Sequence, residues 1–256
     1  IGEAMGGLRH LTGEPGRVPV RVGVSIGDTL AGLHGVIGVM MALYHRKVNG
    51  GAGQVIDVAL HEAVFNVMES RITEYSVFGA VREPTGSSMP GIAPTNAYRC
   101  RDGYALIAGN GDSIFRRLME AIGRSDLANA PDLAGNVGRV ARVAEIDGAI
   151  EAWTSTRSVA DVLAAMAAAR VPAGKVYTAK DICDDPHYRA RQMIVRQVTR
   201  DGWALDVPGV VPKLSATPGS LRSPAPRLGE DTDSVLQELG LDQATIAALR
   251  ARGVLG

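Results

Sequence analysis

The sequence has few cysteines and no excess of charge of either sign. Its two cysteines, Cys100 and Cys183, lie far apart and outside any Cys-x-x-Cys or Cys/His ligand spacing. This pattern argues against a disulfide scaffold and a zinc site, and it fits a reducing cytoplasm.

The 27 basic residues balance the 27 acidic residues, and no basic block stands out. We therefore expect a small-molecule partner, and neither a nucleic-acid partner nor a bound metal.

The sequence also lacks a long uninterrupted apolar run. Its most apolar stretch, residues 26–44, is interrupted by Asp28 and His34 and contains several glycines. A buried helix of a soluble protein fits this pattern better than a membrane span, so we predict no membrane insertion. No basic segment followed by an apolar segment opens the chain, which predicts no secretory signal. The first residue is Ile1, within an amphipathic run, as if the chain were cut from a longer one.

Apolar residues make up 46% of the 256 positions, enough to fill one large domain or two small ones. In the first part of the chain, residues 1–11 predict the end of a helix, and glycines and prolines then predict a loop. A buried helix is predicted over about 28–47 because apolar residues surround most of it. After the turn NGGAG, the alternating segment QVIDVAL predicts a strand, and a helix follows over about 61–77.

A stretch rich in Gly, Pro and Ser, residues 78–95, predicts a linker to a small α+β module. In that module Asp102 and Gly103 separate two β-rich runs, which predicts a hairpin. The other elements predicted there are helices over about 113–122, 140–153 and 159–169 and the strand VPAGKVY.

The remainder of the chain predicts a short helix and a strand over 180–198, then an irregular crossing segment over 207–227, which holds five prolines. Two short helices close the chain. Asp112 or Ser113 is predicted to cap the start of the helix over 113–122, and Gly123 to end it. The first of the two closing helices is predicted to be capped by Asp231, Thr232 or Asp233, and the second by Asp242.

Asp28 is the first candidate for chemistry. It follows Gly27 at a junction between a loop and a helix, where unpaired backbone N–H groups and the helix dipole favour a negative charge. Asp is also a preferred N-cap residue, so a capping role explains the same position. Glycines at 32, 35 and 38 then form a smooth stripe, which suits close helix packing or the approach of a ligand.

A second candidate is the segment Gly109, Asn110, Gly111, between a predicted strand and a predicted helix. Its backbone N–H groups could hold an anion or cover a reacting centre, and an ordinary turn with glycines at positive φ explains it equally. We interpret His34 as a hydrogen-bonded core residue and not as a general base. The cluster Asp184, Asp185, His187 is interpreted as helix capping and not as a metal site.

Five strings in order resemble the class III coenzyme A transferase family, which includes formyl-CoA and carnitine CoA-transferases. The strings are GGLRHLTGEPGRVPVRVGVSIGD, RKVNGGAGQVIDVALHEAV, APTNAYRCRDGYALIAGNGDSIFRRLMEAIG, VPAGKVYTAKDICDDPHYRARQM and PAPRLGEDTDSVLQELG. Asp28 occupies the position of the family's nucleophile, directly before an Ala/Gly-rich helix. Gly109, Asn110 and Gly111 align with a mobile glycine-rich loop that covers the reacting aspartate in the family.

The resemblance implies a reaction, substrates and partners. The carboxylate of Asp28 would attack an acyl-CoA thioester to give a mixed anhydride, CoA would then form an aspartyl-CoA thioester, and an acceptor carboxylic acid would take the CoA. The substrates would be an acyl-CoA and a carboxylic acid, with no further cofactor. The family forms an interlocked homodimer, and its N-terminal doubly wound half, which supplies most contacts to CoA, is absent from this chain.

The resemblance also implies an α/β fold, and the family layout divides the chain into three parts. Residues 1–78 would be the remainder of the large domain with the nucleophile helix, residues 79–190 the small α+β domain, and residues 191–256 the segment that returns to the large domain. We expect the chain to be a fragment that is inactive alone.

Two other functions stay open. An α-methylacyl-CoA racemase shares the fold and uses an Asp at this position, with an upstream His, as acid and base on the carbon next to the thioester. The racemases carry several glycines directly after this Asp, whereas Thr29 and Leu30 follow Asp28, which favours transfer. An inactive CoA-binding fragment is the third possibility.

Overall fold

Helices alternate with two small antiparallel sheets along the chain, in a computed structural model that describes residues 1–255. The chain divides into two units, Ile1–Val176 and Tyr177–Gly256. This mixture of helices and strands agrees with the α/β class predicted from the sequence. The three-part division at 78 and 190 remains a prediction.

Helices dominate the first part of the chain. They are α1 (Gly2–Met5), α2 (Leu8–Leu11), α3 (Ile26–Val48), α4 (Leu60–Phe65) and α5 (Arg71–Phe78). The long helix α3 is close to the predicted one. The single helix predicted over 61–77 is two helices, because the chain turns between α4 and α5, where Glu69 has a φ of 52°.

The prediction of a strand over the segment QVIDVAL is wrong. Residues 51–59 lie in no helix or strand, and α4 begins at Leu60. A strand needs a neighbour to share its backbone hydrogen bonds, and none of the strands described in residues 1–255 pairs with this segment. The alternation of apolar and polar residues therefore indicates a local preference for a strand, but none of the described strands pairs with this segment.

The prediction that α3 is buried is also wrong for the described residues. None of its residues is buried, and Leu33, Val36, Met40 and Tyr44, which follow one another along one face, are 56, 62, 60 and 65% exposed. The reason is that α4, with a smaller contribution from α1, is the main element packed against α3. By length and composition α3 could also span a membrane, a test that core helices of soluble proteins pass as well. The absence of membrane insertion thus stays a prediction.

The predicted hairpin is confirmed. Strand β1 (Thr95–Cys100) pairs antiparallel with β2 (Gly103–Ala108), and Cys100 opposite Gly103 closes the turn. The Asp102 carboxylate accepts a 2.7 Å hydrogen bond from the backbone N–H of Val159, which ties the turn to a later helix. The third strand, β3 (Ala173–Lys175), adds antiparallel to β2 within the segment predicted as VPAGKVY.

The helices of this module cover the hairpin sheet. They are α6 (Asp112–Ala121), α7 (Ser125–Ala128), α8 (Asn136–Ala141), α9 (Val143–Thr154) and α10 (Val159–Ala168), with a single 3-10 turn at Pro131–Leu133. Their apolar faces and the inner face of β1 and β2 form one core. Its fully buried members include Ile107, Leu118, Ile146, Ile150 and Met166. Gly123 follows α6 with a φ of 77°, as predicted for a helix end.

The second unit contains α11 (Ala179–Asp184), α12 (Pro186–Ala190), β4 (Ile194–Val198), β5 (Ala204–Pro208), α13 (Thr232–Glu238) and α14 (Gln243–Ala251). Strands β4 and β5 form an antiparallel pair. The predicted helix and strand over 180–198 are confirmed as α11, α12 and β4. Apart from the end of β5, the proline-containing segment 207–227 is irregular, as predicted.

Candidate active site

Asp28 lies in the first turn of α3, two residues after Ile26, where the helix begins. The N-cap is Ser25, whose side chain makes no capping hydrogen bond, so the sequence-based reading of Asp28 as a cap is wrong. The side chain of Asp28 is exposed. It makes no hydrogen bond or ion pair within residues 1–255. The first turn of a helix favours a negative charge there, because of the dipole and of the N–H groups that have no intrahelical acceptor.

The glycine stripe leaves open space beside Asp28. Gly32 and Gly35 follow Asp28 at intervals of four and seven residues and share its face of the helix. A Cβ at either glycine would meet nothing within 4 Å, whereas a Cβ at Gly38 would lie 2.8 Å from Ile56 Cγ2. Close packing therefore explains Gly38, whereas the surface at Gly32 and Gly35 is open within the described residues.

His34 forms hydrogen bonds, as predicted, but it is only half-buried, so its placement in the core is wrong. Its Nδ1 lies 2.8 Å from the carbonyl oxygen of Leu30, and its Nε2 lies 3.3 Å from the side-chain oxygen of Asn66. The first contact lies within α3, and the second links α3 to Asn66 at the end of α4.

The turn Gly109–Gly111 joins β2 to α6. Its glycines are not needed for positive φ, because Gly111 has a φ of −73° and Gly109 is not among the glycines with positive φ. That interpretation of the turn is wrong. Gly109 is required by a close approach, since a Cβ there would lie 2.5 Å from Leu118 Cδ2 and 3.1 Å from Pro94 Cγ. Its backbone N–H donates a 2.9 Å hydrogen bond to the Pro94 carbonyl.

Arg139, which sequence reasoning did not single out, is fully buried behind this turn. Its Nε donates to the carbonyl of Ala93 at 3.0 Å, and its Nη1 donates to the carbonyls of Leu133 and Ala134 at 3.1 and 3.3 Å. The guanidinium carbon lies 5.1 Å from the ring centroid of Phe115. The positive charge is therefore held by oxygen acceptors and an aromatic face inside the module.

The same guanidinium holds the turn itself. Nη2 of Arg139 donates to the carbonyl of Asn110 and to the carboxylate of Asp112, both at 2.7 Å. Asp112, predicted to cap α6, is instead its first residue, and Gly111 is the N-cap without a side-chain bond. Because an ion pair satisfies the Asp112 carboxylate, the capping prediction is wrong there, as it is for Ser113.

The cluster Asp184, Asp185, His187 is a capping cluster, as interpreted from the sequence. Asp185 caps α12 by accepting a hydrogen bond from the backbone N–H of His187, and Asp184 pairs with Lys180. A hydrogen bond from the Tyr177 hydroxyl holds the pKa of Asp185 below its usual range. Within residues 1–255 no group of three potential ligands that could hold a metal ion is found.

The two predicted site elements lie on different parts of the first unit. Asp28 is on α3, and Gly109, Asn110 and Gly111 are between β2 and α6. No hydrogen bond or ion pair of the described residues joins Asp28 to the turn.

The fold matches that of a solved structure. A CAIB/BAIF family protein from Brucella suis superimposes with a TM-score of 0.80 and 33% identity, covering 93% of this chain and 61% of that one. Residues 1–232 match the model of CoA-transferase family III. The chain belongs to that family, which confirms the resemblance identified in the sequence.

Curated relatives carry CoA-transferase names. A succinyl-CoA:D-citramalate CoA-transferase of Chloroflexus aurantiacus is 42% identical, covering 100% of this chain and 64% of the relative. A formyl-CoA:oxalate CoA-transferase of Streptomyces avermitilis is 30% identical, covering 100% of this chain and 66% of the relative. The chain thus spans about two thirds or less of the length of the curated relatives that it matches, 64% for the first of these two.

Proposed function

We propose that this chain carries the nucleophile of a CoA-transferase, Asp28, which moves CoA from an acyl-CoA thioester to a carboxylic acid. Membership in CoA-transferase family III and the transferase names of its relatives support this proposal. The observation that carries the assignment to Asp28 is its position: an exposed carboxylate without a partner in the first turn of α3, beside the open surface at Gly32 and Gly35.

In the proposed reaction, a carboxylate oxygen of Asp28 attacks the thioester carbon of the donor, and CoA leaves as the thiolate. The product is a mixed anhydride between Asp28 and the donor acyl group. The thiolate then attacks the aspartyl carbon of this anhydride, which gives an aspartyl-CoA thioester and releases the donor acid. The acceptor carboxylate repeats these two steps in reverse and leaves with CoA, which restores Asp28.

The N-terminus of α3 supports this chemistry in two ways. The dipole favours the ionised carboxylate that attacks, and N–H groups of the first turn can stabilise the oxyanion that forms at the attacked carbon. All covalent steps use the Asp28 carboxylate and the CoA thiol, so the reaction requires no resident cofactor. The relatives' names make succinyl-CoA the first donor to test.

The turn Gly109–Gly111 is proposed to cover the reacting carboxylate and exclude water. The support is its conformation: the backbone is fixed by hydrogen bonds to Pro94 and Arg139, while the Asn110 side chain is exposed. Water exclusion matters because both intermediates on Asp28 are open to hydrolysis.

We also propose that the complete enzyme includes a further half that covers α3 and supplies contacts to CoA, and that it is an interlocked homodimer. Two observations support a covering partner: the exposed apolar face of α3 and the span of about 64% of the relatives' length. A cytoplasmic location is proposed as well, supported by Cys100 and Cys183 being free thiols.

The test is covalent trapping on the full-length protein. After incubation with succinyl-CoA, hydroxylamine or borohydride should modify Asp28, and mass spectrometry of the peptide that contains it should show the change. Asp28→Asn, which keeps the size of the side chain, should show none. Exchange of the proton next to the thioester carbonyl, without any adduct on Asp28, would instead favour a racemase and contradict the proposal.

A further inference from the structure

A polar cleft of the second unit lies between β4 and the irregular segment 210–221. It has a volume of about 670 Å³, which falls within the range of about 300 to 1,000 Å³ that is usual for small-molecule sites. Three cations line it, Arg189, Arg196 and Lys213, and none of the described residues that line it carries a carboxylate. The cleft therefore has the size of a ligand site and attracts anions.

Two of these cations are brought together by the turn that ends α12. The backbone N–H of Met193 donates a 2.8 Å hydrogen bond to the carbonyl of Tyr188, a bond that ends the helix and turns the chain into β4. On β4, Arg196 lies directly opposite Asp206 of β5. Nitrogens of Arg189 and Arg196 consequently lie 3.8 and 3.0 Å from the two carboxylate oxygens of Asp206.

The charges of the cleft are not balanced. One guanidinium alone has more N–H donors than the Asp206 carboxylate has oxygens, and the side chains of Arg189 and Arg196 are 55 and 63% exposed. Donors of both arginines are therefore open to a ligand. Lys213 is exposed and makes no hydrogen bond or ion pair within residues 1–255. With Asp206 set against the three cations, an excess of two positive charges remains.

Two glycines give the cleft its shape. A Cβ at Gly209 would lie 2.1 Å from the carbonyl oxygen of Gln192, and a Cβ at Gly219 would lie 2.5 Å from Val210 Cγ1. Neither glycine has a positive φ, so close approach of the chain is the reason for glycine at both positions. The N–H of Gly209 also donates a 2.9 Å hydrogen bond to the carbonyl of Met193. The irregular segment is thus packed on itself and on the start of β4, which fixes the wall of the cleft.

We propose that this cleft binds a phosphate monoester attached to an apolar body. Such a phosphate carries a charge of about −1.5 to −2 at pH 7, which balances the excess, and guanidinium groups match its oxygens. The lining also includes polar side chains, Gln197 and Ser220, and apolar ones, among them Ile194, Leu214 and Leu221. Two sources share this chemistry: the ribose 3′-phosphate of a CoA substrate and a separate organic phosphate. The inference does not depend on the role of Asp28, because it concerns binding in the second unit.

The test is calorimetric titration of the full-length protein with phenyl phosphate at low ionic strength. Benzoate has the same ring with a single charge, and succinate has two charges without a phosphate; we expect both to bind more weakly. Lys213→Gln removes a cation that has no partner in the described residues, so the fold should stay intact while the Kd rises about three- to fivefold. Arg196→Gln should raise the Kd about tenfold, because charge-assisted hydrogen bonds are lost. Lys180→Gln is the matched control: it removes the same charge in the same unit, outside the cleft, and should leave the Kd unchanged.

Failure of phenyl phosphate to bind, an unchanged Kd in Lys213→Gln, or an equal rise in Lys180→Gln overturns the site. Tighter binding of benzoate or succinate than of phenyl phosphate overturns the ligand class.

Competition identifies the source of the phosphate. Displacement of phenyl phosphate by CoA but not by dephospho-CoA supports the proposal with the 3′-phosphate of CoA as the ligand, and displacement by neither supports it with a separate organic phosphate. Equal displacement by both means that another part of CoA occupies the cleft, which overturns the assignment to a phosphate monoester. Covalent trapping at Asp28 is measured separately, so failure of the proposed function and failure of this inference are distinguishable.

Discussion

The hydroxyl of Tyr98 donates a 2.6 Å hydrogen bond to the carboxylate of Asp147, which joins β1 to α9 at the edge of the module core. Tyr98 is 2% exposed. The side-chain amide of Asn96 donates to the other carboxylate oxygen of Asp147 at 3.0 Å. Burial, reinforced by the bond to Asp147, raises the pKa of Tyr98 far above its usual value.

Replacing Tyr98 with Phe should lower the free energy of unfolding by about 1 to 3 kcal/mol, because Asp147 loses its phenol donor while the ring still fills its site. Denaturant unfolding followed by Trp153 fluorescence, in a Trp203→Phe background, measures the change in the module that contains Trp153. Tyr104→Phe is the matched control, since Tyr104 is 55% exposed on the neighbouring strand. An equal loss in both variants would contradict the role of the Asp147 bond.

The same bond predicts a pH dependence. The pKa of Tyr98 in the folded protein is raised above its unfolded value of 10.0, so above pH 10 the unfolded chain gives up the proton first. Stability from this group is complete below pH 10 and falls as the pH rises beyond it. The difference in unfolding free energy between wild type and Tyr98→Phe should therefore shrink between pH 9 and pH 11. A constant difference over that range would show that Tyr98 titrates normally.

Two glycines of neighbouring helices should respond to Ala in opposite directions. At Gly138 in α8, a Cβ would lie 1.6 Å from the backbone carbonyl oxygen of Asp132, whereas at Gly148 in α9 it would meet nothing within 4 Å. Gly138→Ala should cost about 1 to 3 kcal/mol because the backbone must shift. Gly148→Ala should stabilise by up to about 1 kcal/mol through helix propensity. Urea unfolding midpoints of the two variants provide the measurement, and a stabilising Gly138→Ala would contradict the packing of α8 on the 3-10 turn.

Local sequence patterns predicted the helices and strands of the small α+β module well, because residues next to one another in the sequence determine where these elements begin and end. The Asp102-Gly103 turn joins β1 and β2 as predicted, and Gly123 ends α6. The strand QVIDVAL and the burial of α3 could not be predicted in this way. Both depend on what lies beside the segment, and neither a pairing strand nor a full covering surface is present in the described residues.

Helix capping offers a prediction in the second unit. Asp242 caps α14 by accepting a 2.8 Å hydrogen bond from the Thr245 backbone N–H, whereas Asp231, the N-cap of α13, makes no such bond. Asp242→Ala should therefore lower the thermal midpoint of this unit more than Asp231→Ala does. The comparison is made by thermal unfolding followed by Trp203 fluorescence. Equal effects would indicate that capping geometry does not decide the stability of α14.

The candidate site was predicted in part. Local sequence placed Asp28 at a helix start but could not distinguish a cap from a nucleophile, and the family resemblance alone raised it above other aspartates. Arg139 could not be found from the sequence, because arginine on a short helix is ordinarily exposed. Its burial results from segments 93, 110–112 and 133–134 meeting around one side chain, and no local pattern encodes that meeting.

The last prediction concerns Asp28 itself. Asp28→Asn in the full-length protein should reduce CoA transfer by roughly three orders of magnitude or more, because an amide cannot form the anhydride and nothing else on α3 replaces it. Stability should change little, since Asp28 is not the N-cap and its side chain makes no hydrogen bond within residues 1–255. Transfer is measured by the exchange of labelled succinate into succinyl-CoA, and folding by circular dichroism.

Ser25→Ala is the control for the helix start, because Ser25 is the N-cap without a side-chain cap bond. Transfer that survives in Asp28→Asn would show that the nucleophile lies elsewhere. An equal loss of transfer in Ser25→Ala would show that the loss in Asp28→Asn comes from a disturbed helix start.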